Sequence, residues 1–254
     1  MSKRVDALIL AFLLVLAVVI SLWANTTFLT SIGLFLGLPA LWLSFRKPES
    51  ITKLLLLSVA GALPFFIITD FLAALNGVWY VPTIFPFRVW GAAFEDFIWL
   101  LALIYLTTIF YEYFLDRGKD KIMWKHMKWL FLLSAFLLVI LGICALLFPA
   151  FLHIPYTYLF IGLVFILCPS IFMLSFFPKL SLKFFATLIY FFPLAAAMEV
   201  TALKLHHWEF PGKDFIGWVN LFGYQFPFEE LFFWFFLLPI AILSYYEYFD
   251  DDQR

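Results

Sequence analysis

Six carboxylic acids stand inside or at the ends of long apolar runs: Asp70, Glu95, Asp96, Glu199, Glu229 and Glu230. An acid at the centre of a membrane helix costs about 2.5–3.5 kcal/mol even on the mild insertion scale, so acids placed there call for a reason. Carboxyls gathered in an apolar site repel one another when ionised and lose their hydration, and both effects keep some of them protonated. The result is a buried Brønsted acid beside a base, which suits adding a proton at one carbon of a polyene and removing one from another. Such a reaction is redox-neutral and calls for neither a cofactor nor a metal. Its carbocation intermediate would be quenched by water and stabilised by aromatic faces. Trp79, Trp90, Trp99, Trp208, Trp218 and Trp234 lie within or near the acid-bearing segments, and Trp79 and Trp208 are the substrate-binding candidates because an internal register preserves them.

Structural roles compete for the same acids. Helix N-termini favour carboxylates, so one acid of Glu95-Asp96 and of Glu229-Glu230 could serve as a cap. Adjacent helical residues point about 100° apart, so the other acid of each pair faces the bundle. Asp70 is flanked by Ile67, Ile68, Phe71 and Leu72, which argues against a solvated surface acid.

The elements that must position these acids are membrane helices. The chain has 254 residues, 65% hydrophobic, 22% aromatic and 13% charged, against about 25% charged in a soluble domain. Apolar runs predict spans near 5–24, 28–45, 52–75, 94–115, 128–149, 155–177, 182–204 and 227–249, an all-α polytopic bundle of about eight transmembrane helices. Eight spans use about 160 positions, which leaves no room for a separate soluble domain. The first run is read as a retained helix rather than a signal peptide. Thirteen of the 16 Lys and Arg fall on one side, among them Arg4, Arg46, Lys53, Lys121, Lys183 and Arg254. The positive-inside rule then puts both termini in the cytoplasm of a multi-pass cell-membrane protein.

A net charge of -1 with no glycine-rich phosphate motif excludes nucleic-acid and nucleotide binding. Cys144 and Cys168 are read as packing residues rather than a disulfide or zinc site. His206-His207 reads as interfacial rather than metal-binding, Glu112 and Glu247 as snorkelling acids, and Arg88 and Lys204 as interface cations near the outer-face carboxylates. The Asp250-Asp251-Asp252 run reads as a solvated tail.

The chain repeats itself. Pro64, Asp70, Trp79 and Pro82 stand 129 positions before Pro193, Glu199, Trp208 and Pro211. Phe94-Glu95-Asp96 pairs with Phe228-Glu229-Glu230 after a five-residue insertion, and Tyr111-Glu112-Tyr113-Phe114 with Tyr246-Glu247-Tyr248-Phe249. Residues 1–127 and 128–254 are thus expected to be two parallel four-helix repeats about an axis along the membrane normal, with a site between them.

The stretch Gln225-Phe226-Pro227-Phe228-Glu229-Glu230-Leu231-Phe232-Phe233 resembles the Pro-x-Glu-Glu-x-x-Phe-Phe motif of the lycopene cyclase domain family, the cofactor-independent carotenoid cyclases. Trp208-Glu209-Phe210-Pro211 and the run from Leu238-Pro239 to Tyr246-Glu247 are similar to positions flanking that motif. In the first half, Asp70 with Gly77-Val78-Trp79-Tyr80 resembles the family's acid and Gly-x-Trp turn, and Arg88 through Glu95-Asp96 its companion motif. The chain departs from the pattern at Ala93, where a proline is expected, at Glu199, where Asp is common, and in having the Glu-Asp half first.

The resemblance implies a lycopene β-cyclase: protonation of the terminal C1=C2 bond, attack by C5=C6, and proton loss at C6 to close a β-ionone ring. The implied partners are a linear carotenoid and the bilayer; the oligomeric state is left open. Glu229, Glu230, Glu95, Asp96, Asp70 and Glu199 are the catalytic candidates. The same acids would serve a carotenoid hydratase or another terpenoid cyclase, and a small transporter or lipid-binding scaffold is the alternative of another class.

Overall fold

The computed structural model describes residues 2–116 and 124–250. Arg117, Lys119 and Lys121 of the basic loop, and Asp251, Asp252 and Arg254 of the tail, lie outside the described residues. Eight helices follow one another: α1 (Lys3–Ala24), α2 (Phe28–Arg46), α3 (Pro48–Asn76), α4 (Phe94–Phe114), α5 (Trp124–Leu147), α6 (Thr157–Phe176), α7 (Pro178–Lys204) and α8 (Glu230–Tyr248). Seven of them are long and apolar enough to cross a membrane, and α5 contributes the shorter apolar stretch Leu132–Leu147. Their ends fall within four residues of the spans expected from hydropathy. The protein is an all-α bundle suited to a bilayer.

Burial sorts the helices. In their most apolar stretches α8 and α4 are 67% and 56% buried, and α1 only 17%, so α4 and α8 form the centre and α1 lies outside. Leu8, Phe12, Val15 and Val19 on α1 are exposed, as residues that face lipid should be.

Three helices contain π-helical stretches, Gly33–Gly37, Gly162–Leu167 and Glu230–Leu237. Each ends two residues before a proline: Pro39, Pro169 and Pro239. Proline lacks an N–H and its ring crowds the carbonyl four residues back, so the helix widens there instead of breaking. In hydrocarbon a freed carbonyl needs another donor. The carbonyl of Phe165, four before Pro169, accepts one from the Tyr245 hydroxyl at 3.2 Å.

Two short hairpins cover one end of the bundle. β1 (Arg88–Val89) pairs antiparallel with β2 (Ala92–Ala93), and β3 (Trp218–Leu221) with β4 (Tyr224–Pro227). Both turns carry two residues at positive φ, Trp90 (50°) with Gly91 (91°) and Phe222 (53°) with Gly223 (89°), the twist that matches a tight hairpin. The loops before them meet where Tyr80 and Glu209, 129 positions apart, exchange two N–H···O bonds of 2.9 Å.

At the opposite end the snorkelling reading of Glu112 and Glu247 gives way, because both are buried in the seam between α4 and α8, out of reach of water. Tyr246 donates to Glu112 and Tyr111 donates to Glu247. Lys47 and Lys53 neutralise Glu112, Lys53 at 3.2 Å, and Lys183 pairs with Asp116 at 2.9 Å. Cys168, expected to pack, is exposed on α6.

Glu112→Ala should cost about 3–5 kcal/mol, because it removes the carboxylate that buried cations and a phenol share. The drop is read from the melting temperature of the detergent-purified protein, and an unchanged temperature contradicts the assignment.

Candidate active site

The site is built from helix ends. Helix α3 stops where Gly77 adopts φ 63°, and the Val78 N–H returns to the Ala73 carbonyl at 2.9 Å. Helix α7 stops the same way at His206, φ 55°, with the His207 N–H on the Ala202 carbonyl at 2.9 Å. Such left-handed caps satisfy the last carbonyls and fold the chain back over the helix. Two residues later a tryptophan comes to lie over the acid one turn and a half below. Trp79 Nε1 donates to Asp70 Oδ1 at 3.3 Å, and Trp208 Nε1 donates to Glu199 at 3.1 and 3.2 Å. Thr69 adds a hydroxyl to Asp70 at 3.2 Å.

The adjacent acid pairs divide their work, though neither Glu95 nor Glu229 caps its own helix. Glu95 accepts from the Thr83 hydroxyl at 2.6 Å and the Ile84 N–H at 2.7 Å, and so staples the incoming loop. Glu229 accepts from the Ile216 N–H at 2.8 Å, while its Oε2 is buried with no hydrogen-bond partner among the described residues. The loop competes successfully for these carboxylates because its amides have no strand partner there. Phe215 precedes Ile216 where Thr83 precedes Ile84, so the second half lacks that hydroxyl.

Asp96 and Glu230 point the other way. Together with Asp70 they line a cavity of about 70 Å³ walled by Trp79, Trp99, Trp208 and Trp234. Asp70 and Asp96 stand together in its lining. Glu230 accepts from the Tyr158 hydroxyl. A chamber of about 40 Å³ on the far side of Trp99, Trp234 and Glu230 holds Glu199. Asp70, Asp96, Glu230 and Glu199 are therefore brought around one tryptophan cluster, whereas Glu95 and Glu229 line neither space.

The aromatic walls cross between the halves of the chain. The Tyr158 ring lies 5.2 Å from Trp79, and the Phe28 ring meets Trp208 edge-on at 5.2 Å. Trp234 contacts Trp99 at 5.7 Å and Trp79 at 6.2 Å. Tyr158, Phe28 and Phe210 were not legible beforehand: Leu29 stands in register with Tyr158 and Thr157 with Phe28, so the repeat marks neither.

The polar residues around the rim are already engaged. Arg88 donates to the carbonyls of Val81 (2.6 Å) and Gly91 (3.1 Å) and lies 4.8 Å from the Tyr80 ring centre, with no carboxylate ion pair. His207 Nε2 meets the Thr26 carbonyl at 2.8 Å, and burial lowers its pKa against the pull of that bond. His206 faces Glu209 at 3.4 Å, away from His207. Among the described residues no group of three or more His, Cys, Asp or Glu is placed to hold a metal.

The chain matches no family model, no curated protein and no solved structure.

Glu95→Ala releases both loop contacts, each worth about 1.5–3 kcal/mol as a charge-assisted bond. Hydrogen exchange at the Ile84 amide should accelerate accordingly, while Ile216 stays protected; equal exchange at Ile84 in wild type and variant would refute the staple.

Proposed function

We propose that the chain is a membrane-embedded lycopene β-cyclase type enzyme that closes β-ionone rings on a linear carotenoid by proton-initiated, non-redox cyclisation. The observation that carries the reading is the cavity in which Asp70, Asp96 and Glu230 meet four tryptophans. Two carboxyls in one apolar cavity repel each other when both are ionised, so Asp70 and Asp96 together retain a proton and are the proton source. Glu230, held by the Tyr158 hydroxyl, is the acceptor across the same cavity.

Asp96 protonates C2 of the terminal C1=C2 bond, and the C1 cation is attacked by C5=C6. Glu230 then removes the C6 proton as the ring double bond forms. The tryptophan faces stabilise the cation and the apolar walls exclude water that would trap it. Once the product has left, Glu230 gives its proton up to solvent and the Asp70–Asp96 pair takes one from solvent, so the site is restored and the product is an isomer of the substrate. Trp79 and Trp208 bind substrate while fixing Asp70 and Glu199, and Glu199 supports the wall from the second chamber. Glu95 and Glu229 are positioning residues that hold the helix entrances.

The site lies between two parallel four-helix repeats, 1–127 and 128–254. Supporting that arrangement, Tyr80 bonds reciprocally to Glu209, and Tyr111 with Glu247 answers Tyr246 with Glu112. Tyr80 and Glu209 occupy one register position, and the two Tyr–Glu contacts exchange under the register, as contacts about a twofold axis do. The loop charges place both termini in the cytoplasm of the cell membrane.

The test is expression in a bacterial host that accumulates lycopene, with Asp96→Asn and Glu230→Gln beside the wild type. Each substitution should lower ring formation about 10²–10⁴-fold, the usual contribution of a general acid or base, with the amount of folded membrane protein unchanged. Wild-type turnover in both variants would sink the acid and base roles, and a product heavier by one water would make the enzyme a hydratase.

A further inference from the structure

Apolar space leaves the acid cavity on two sides, and the two sides differ. On one, a groove of about 140 Å³ runs among α3, α4, α5, α6 and α8; it shares Phe65 and Leu100 with the acid cavity and passes Gly61 and Ile104 to reach Tyr245. On the other, the chamber beside Glu199 closes at about 40 Å³.

One pair of positions in register differs in the volume it fills beside these spaces. Gly61 of α3 and Tyr190 of α7 stand 129 positions apart. The Tyr190 ring stacks on Phe110 at 5.2 Å and 9°, and Phe110 stands in α4 where Tyr245 stands in α8. Where Tyr190 covers Phe110, Gly61 leaves the space over Tyr245 open. The Tyr190 hydroxyl has no hydrogen-bond partner among the described residues, an unfavourable placement in an apolar setting. It is the volume of the ring that the fold uses there.

We propose that the groove beside Gly61 binds the unreacted length of a linear polyisoprenoid whose end group sits in the acid cavity, and that Tyr190 closes the corresponding route, so the enzyme is entered from one side only. The proposal rests on the cyclase reading above. The two spaces adjoin at Phe65 and Leu100, which line both, and this adjacency argues for one elongated ligand across them. The lining also argues for an apolar chain: besides Ser134, its hydroxyls are those of Thr108, Tyr245 and Tyr246, and these are committed to Ile104 and Tyr105 carbonyls, the Phe165 carbonyl and Glu112. Little is left to hold a headgroup. A one-sided site takes a two-ended substrate one end per binding event, so the singly cyclised product leaves before the second ring forms.

The test needs no turnover. Geranylgeraniol bearing a diazirine near its hydroxyl end, away from the isoprenoid end group that enters the acid cavity, is photolysed with the protein in lipid nanodiscs, and the labelled positions are mapped by mass spectrometry. Label should fall on the α3 and α5 faces of the groove and be displaced by unlabelled geranylgeraniol. Gly61→Tyr should reduce it about tenfold, equivalent to about 1.4 kcal/mol. A Cβ at Gly61 would meet Ile104 Cδ1 at 3.8 Å, an ordinary contact, so the substitution starts without a clash. Ile104→Trp fills the groove from the opposite wall and should act alike should the first variant fold poorly. Tyr190→Gly should add label on α7.

Label on α7 in the wild type, labelling unmoved by both blocking variants, or displacement by diacyl phospholipid as readily as by geranylgeraniol would overturn the proposal, the last by marking an ordinary lipid site. The expected labelling without any ring formation would keep the groove and remove the cyclase reading. Ring formation with labelling indifferent to Gly61 would do the reverse.

Discussion

A carboxyl group surrounded by hydrocarbon must find a partner, and the arrangement of this bundle follows from how its acids do so. At one end Glu112 and Glu247 are met by tyrosines across the α4–α8 seam, and Glu112 by lysines as well. At the other, Asp70 and Glu199 take indole N–H groups, and Glu95 and Glu229 take loop amides. These partners come from fixed backbone or rigid rings. Asp96 and Glu230 are left in different surroundings, both lining an open cavity, where a phenol donates to Glu230.

In the proposed reaction, that difference separates groups that hold the fold from groups that exchange protons. The caps at Gly77 and His206 bring the tryptophans over their acids, so the cavity wall and the acid geometry are set by the same turns. The π-helical start of α8 has no equivalent in α4, so Glu230 and Asp96 enter from helices of different winding. The two halves thus place similar acids in unlike surroundings, as a donor and an acceptor require.

Much of this was legible in the sequence, for a physical reason: acids are rare in apolar runs, so Asp70, Glu95, Asp96, Glu199, Glu229 and Glu230 stood out, and the register of 129 tied Trp79 and Trp208 to them. Helix ends were legible because hydropathy changes sharply there. Tyr158 and Phe28 were not, because they are two among 57 aromatics and the repeat does not preserve them. Burial of Glu112 was hidden as well, since a helix-end acid reads alike whether it faces lipid or a neighbouring helix. The π-helical stretches escaped because apolar periodicity is featureless in helices that are apolar all round, although Pro39, Pro169 and Pro239 mark them in retrospect.

The most direct measurement follows the proton itself. Membranes containing the protein are incubated with lycopene in D2O, and the pigments are separated and weighed. Ring closure by the proposed route adds one deuteron at C2 and removes a proton from C6, so each ring should make the product heavier by about one mass unit with no oxygen gained. Unchanged lycopene, or a cyclic product without deuterium, would contradict a proton supplied by exchangeable carboxyls.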